Sequence, residues 1–160
     1  MTTMWTPPGG RARRSAGARP CPDNHRQDHA RAAAGAGLIF DRIAETFEGE
    51  TGHRPGPILV RLWAEQCEAI RSRPSVCVHL LTPRPVPVVA AAWRPGWAVC
   101  HPCAPALATP PGDPRGRQCD GCLREVPTHP CALQSGVIVF IAALCAECTT
   151  IDVLGAGETP

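Results

Sequence analysis

Cys119-Asp120-Gly121-Cys122 and Cys145-Ala146-Glu147-Cys148 are two C-x2-C pairs separated by 22 residues. Each such turn aims two sulfurs at one point, and the intervening chain is long enough for a β-hairpin that folds the second turn onto the first. Four thiolates gathered this way are the ligand set of a closed, tetrahedral zinc site. A site with no open position for water is structural rather than catalytic. Its binding free energy, an apparent ~10–16 kcal/mol, rivals the whole stability of an ordinary domain. Arg115, Arg117 and Arg124 lie close in sequence and would offset the negative charge of four thiolates.

A third pair, Cys100-His101-Pro102-Cys103, needs two more ligands. Cys77 and His79 offer one completion, C-x-H-x20-C-x2-C. Their i, i+2 spacing sets both side chains on one face of a strand. His129 and Cys131 offer the other. A plainer reading leaves Cys77 and Cys131 as small hydrophobes and His79 as a hydrogen-bonded strand histidine. Cys67, within a helical stretch, reads as a packing residue. The sequence thus predicts one zinc at Cys119, Cys122, Cys145 and Cys148, and leaves a second open.

Other chemistry is thinly supported. The Cys100–Cys103 pair has the spacing of a redox dithiol, in which a lowered thiol pKa drives exchange, but that motif belongs at the opening of a helix in a βαβ unit. Two C-x2-C knuckles also suit a rubredoxin-like iron site. The sequence lacks a nucleophile elbow, a phosphate-binding P-loop, the H-E-x-x-H zinc signature and a nucleoside-deaminase signature, so no catalytic residue and no small-molecule substrate is assigned.

The elements that must position these residues follow from periodicity. Residues 1–35 mix Pro, Gly, Ala and Arg without apolar periodicity and read as a disordered basic arm. Residues 36–73 read as a two-helix hairpin. Ile39, Ile43 and Phe47 mark one helix over Leu38–Glu48, and Pro57 opens another that runs to Arg71, with Leu59, Leu62, Trp63, Gln66 and Ile70 on its apolar side. Residues 74–160 read as a cysteine-rich β domain. Ser75–Leu81 and Val86–Trp93 are expected strands, and Trp97–Val99 leads into Cys100. Leu123–Val126 and Val137–Ala143 are the expected arms of the hairpin between the main pairs. Residues 149–154 could add a turn of helix.

The fold class is therefore α+β: a disordered arm, a helical hairpin and a small metal-stapled β domain. Composition supports staples. Nineteen prolines and 4% aromatics leave little for a large core, and there are ten cysteines. All sixteen basic residues are arginine, and the Ala/Gly/Pro/Arg bias is that of a high-GC, bacterial gene. The net charge of +2 selects no partner. The N-terminal residues lack the apolar run of a signal peptide, and the longest apolar run is about half of the roughly 20 residues that a membrane helix needs. A soluble cytoplasmic protein with reduced thiols and no membrane partner is expected.

In layout, knuckle pairs around a hairpin, the chain resembles zinc-ribbon and treble-clef modules. With His129 and Cys131 included, residues 100–148 read C-x2-C-x15-C-x2-C-x6-H-x-C-x13-C-x2-C, which resembles the cross-braced plant-homeodomain finger. That resemblance implies that the first and third pairs bind one zinc and the second and fourth another. The class resemblance implies a non-enzymatic module that docks nucleic acid or a protein. Arg11, Arg13, Arg14, Arg61, Arg71 and Arg73 are the candidate nucleic-acid contacts. An adaptor presenting Trp63, Trp93 or Trp97 and a small redox or iron electron carrier are the alternatives.

Overall fold

The computed structural model describes residues 22–46 and 55–155. The expectations for residues 1–21, 47–54 and 156–160, including Arg11, Arg13 and Arg14, lie outside them. The described chain is mixed α+β. Helices α1 (Pro22–Thr46), α2 (Pro57–Ser72) and α3 (Ala146–Gly155) accompany strands β1 (Ser75–Val76), β2 (Val88–Ala91), β3 (Trp97–Cys100), β4 (Thr128–Ser135) and β5 (Ile138–Cys145). The strands form one sheet in the order β1-β3-β2-β5-β4. Two antiparallel hairpins, β2–β3 and β4–β5, are joined by the parallel pair β2–β5, and β1 adds parallel to β3.

β5 anchors this sheet because it can be buried on both faces. Val139, Phe140, Ala142 and Leu144 have no exposed surface. The period-2 pleat divides the side chains. Phe140, Ala142 and Leu144, with Ala90 of β2, pack against Leu59, Leu62 and Trp63 of α2. Val89, Ala91, Val99 and Ile141 go to the opposite cluster with Leu107 and Trp93. Trp63 and Phe140 meet with ring centroids 5.5 Å apart.

Helix α1 begins well inside the stretch expected to be a disordered arm, so residues 22–35 are helical rather than disordered. Large apolar residues do not mark this segment. Alanine has the best intrinsic helix propensity, and small side chains let the helix approach the sheet closely. Ala32 and Ala36 are buried, and a Cβ on Gly35 would stand 2.9 Å from Pro87 Cγ. Helix α1 packs on β4 and β5, while α2 packs on α3 and β5. The helices that the sequence paired with each other thus take their main partners elsewhere.

Two further expectations change. Ser75–Leu81 is a strand only at Ser75–Val76 and then a 3-10 turn, Val78–Leu81. The first arm of the second hairpin is Thr128–Ser135, not Leu123–Val126, which joins only an isolated bridge at Glu125 with Gln118. Pro130 sits inside β4, where the proline lacks an N–H to donate; β4 is an edge strand, the place a sheet tolerates it. Gln66, expected on the apolar side of its helix, is 2% exposed. Its Oε1 accepts from Gly96 N–H at 3.2 Å and its Nε2 donates to Trp97 O at 2.8 Å. The amide is consumed in holding the β2–β3 turn, where Gly96 supplies φ +80°.

Candidate metal centres

The second hairpin builds one site. Cys119 and Cys122 lie on a knuckle, Cys145 ends β5, and Cys148 falls in the first turn of α3. Leu123 N–H donates to Cys119 O at 2.7 Å, which closes the knuckle and holds Leu123 at φ 62°. Asp120 pins the knuckle to β5: its N–H donates to Ala143 O, and its Oδ2 accepts from Ala143 N–H at 2.6 Å. Burial pushes the Asp120 carboxyl up from its ordinary pKa. Gly121 is required by contact rather than by dihedral, since a Cβ there would stand 2.9 Å from Cys148 Sγ.

The four sulfurs lie within 4.8 Å of one another. Bonds of about 2.3 Å to a tetrahedral ion imply sulfur–sulfur edges of roughly 3.8 Å, and Cys122 Sγ stands 3.9 Å from Cys145 Sγ. That is far beyond a disulfide of about 2.05 Å, and the described cysteines are all free thiols. The ligand set fits a four-coordinate metal ion. Cys145 N–H donates to Cys119 Sγ at 3.2 Å, and Arg124 Nε donates to Cys122 Sγ at 3.3 Å. The Arg124 guanidinium holds the Cys122 thiol down to about 6, and the Cys148 N–H lowers Cys145. Arg124 in turn pairs with Glu147. Cys119, Cys145 and Cys148 are buried, so the site is closed.

The first hairpin repeats this plan. Cys77 and His79 come from the residues between β1 and the end of the 3-10 turn, Cys100 ends β3, and Cys103 lies in the next turn, His101–Leu107. His79 Nδ1 stands 3.3 Å from Cys103 Sγ and 3.6 Å from Cys100 Sγ. Metal–nitrogen and metal–sulfur bonds of about 2.0 and 2.3 Å imply a tetrahedral edge of roughly 3.5 Å. Cys100 N–H donates to Cys77 Sγ at 3.2 Å, the counterpart of the Cys145-to-Cys119 bond. Burial alone would raise the Cys77 thiol; that N–H and the Cys100 side chain bring it to about 6. Trp93 Nε1 donates to Leu107 O at 2.7 Å and fastens the turn that carries Cys103. Three cysteines and one histidine are thus a second metal-compatible set, with His79 exposed.

Among the described residues, His129 and Cys131 join neither group. Their place in β4, in register with Leu144 and Ala142, commits them to the sheet. His129 is exposed; Cys131 Sγ faces Thr149 Oγ1 at 3.9 Å, and burial raises its thiol. The cross-braced order is therefore not the order that the fold assembles. Of the candidate nucleic-acid contacts, Arg61 bonds Glu65 and Gly121 O, Arg71 pairs with Glu68, and Arg73 is exposed at the end of α2.

Sequence reasoning passed over Asp152. It is 5% exposed, and its carboxylate accepts from Ile58 N–H at 2.8 Å, Leu59 N–H at 3.0 Å and Gly56 N–H at 3.2 Å. It caps α2 from a distant helix, because Gly56 at the cap position has no side chain to do so. The only trace in sequence is an acid in the apolar run Ile151-Asp152-Val153-Leu154. No family model matches the chain, and no curated protein and no solved structure matches it.

Proposed function

We propose that the protein is a non-enzymatic module stapled by two structural zinc ions, whose role is to present a docking surface to a macromolecular partner. The observation that carries this reading is the pair of four-ligand groups, each with its ligand atoms within 4.8 Å of one another. Both are closed ligand sets with N–H···S support, the chemistry of a structural rather than a catalytic ion. Zinc accommodates both the all-thiolate set and the set of three thiolates and an imidazole, whereas a rubredoxin-like iron site uses four thiolates. In each half a ligand-bearing turn precedes a hairpin, and a helical turn follows with the last ligand. This order resembles the treble-clef layout, twice over. Free thiols suit a reducing compartment such as the cytoplasm. Among the described residues no helix is long and apolar enough to cross a membrane.

Elemental analysis of protein purified under reducing conditions tests the reading. Two zinc ions per chain are expected, with one remaining in Cys119→Ser and one in Cys100→Ser. A folded, metal-free protein would overturn it and bring thiol redox chemistry forward, and bound iron would bring electron transfer forward.

A further inference from the structure

The turn that carries His79 also carries two apolar side chains facing water. Val78 and Leu81 are i and i+3 of a 3-10 turn, whose three residues per turn stack them on one side. They are 72% and 74% exposed. No described residue covers this ridge, although the same turn supplies His79 to the metal-compatible group with Cys77, Cys100 and Cys103 and is held through Leu80 N–H to Cys77 O at 3.0 Å.

The charge around the ridge has one sign along the chain. No acidic residue occurs between Glu68 and Asp113, a stretch that holds Arg71, Arg73, Arg84 and Arg94 with His79 and His101. Arg71 is spent on Glu68, and Arg94 donates to Ala108 O at 3.2 Å. Arg73 and Arg84, on either side of the turn, are exposed and make no ion pair among the described residues. Acidic groups approach the His79 side only from α1, where Asp41 and Glu45 line the far wall of a cleft of about 1140 Å³ that His79 also borders.

An apolar turn flanked in sequence by exposed arginines, unpaired among the described residues, has the composition of a protein-binding patch. A single-stranded nucleic-acid site would add aromatic faces for the bases to such a charge. The exposed aromatic of this unit, Trp97, belongs to β3 in register with Ser75, not to the Val78–Leu81 turn. We propose that Val78 and Leu81, with Arg73 and Arg84, form a docking surface for an acidic peptide segment of a protein partner that inserts an apolar side chain against the ridge. This rests on the docking-module reading and names its surface and partner chemistry.

The test is to pan a random 16-residue peptide library against the zinc-loaded full-length chain. Enriched peptides are expected to be net acidic and to carry Leu, Ile or Phe. Affinity for the best of them should fall at least tenfold in Val78→Ser/Leu81→Ser and in Arg73→Glu/Arg84→Glu, with zinc content unchanged in both. No enrichment, enrichment without acidic bias, or affinity indifferent to both variants would overturn the proposal. So would tighter binding of a 20-nucleotide oligo-dT that is lost in the same variants. Zinc content of the wild-type chain is read separately, so failure of the metal reading is distinguishable from failure of the surface.

Discussion

At the scale of single residues, the four-cysteine group depends on what surrounds its sulfurs as much as on the sulfurs themselves. Arg124 donates to Cys122 Sγ and is itself steadied by Glu147. A thiol held down to about 6 is already thiolate at neutral pH and gives up no proton on binding metal. Replacing Arg124 by Ala returns Cys122 toward the ordinary thiol range. Metal then competes with a proton, and retention requires a higher pH. We expect Arg124→Ala to lose metal affinity by roughly 10–100-fold near neutrality, with the pH midpoint of metal retention shifted upward. Chelator competition across pH measures both. An unshifted midpoint would show that the guanidinium is only a surface ion-pair partner.

At the scale of elements, Asp152 couples two helices that are far apart in sequence. α3 carries Cys148, and α2 packs on the sheet through Leu59 and Leu62. The Asp152 carboxylate closes the start of α2 and so fixes α3 against it. Gly56 cannot be replaced to restore a local cap, because a Cβ there would collide with the backbone carbonyl of Asp152. Asp152→Ala leaves three N–H groups without their acceptor, at a cost of about 1–3 kcal/mol. Urea denaturation of the metal-loaded chain should show that loss in the midpoint with an unchanged slope. Asp152→Asn, which keeps an acceptor oxygen, should lose less.

At the scale of the whole molecule, the two metal units share one sheet. The parallel pair β2–β5 joins the hairpins, and Val89 and Ala90 lie in register with Val139 and Phe140. Neither unit has a core of its own, since β2 and β5 each contribute to both clusters. On the proposed reading, with metal worth ~10–16 kcal/mol per structural site and domains stable by about 5–15, removal of both ions is expected to unfold the chain. Thermal unfolding of the loaded protein should be a single cooperative transition. A strong chelator with reductant should abolish that transition rather than split it. Two separate transitions would show that the units are independent domains.

The four-cysteine grouping was legible because metal chemistry is local in type and spacing. Cys119, Cys122, Cys145 and Cys148 announce themselves by C-x2-C, and the β character of β5 by a run of β-branched and aromatic residues. The α+β class and the helical start at Pro57 were equally readable. Which residues complete Cys100 and Cys103 was not, because Cys77/His79 and His129/Cys131 both have workable spacing. Tertiary structure decided it: strand register commits His129 and Cys131 to the β4–β5 ladder, while β1 beside β3 delivers Cys77 and His79. The helix over residues 22–35 was hidden because alanine and glycine pack by closeness, which leaves no apolar period to read. The roles of Asp152 and Gln66 were hidden for a related reason: a buried polar side chain is defined by its partners, and those lie 93 to 96 and 30 to 31 residues away.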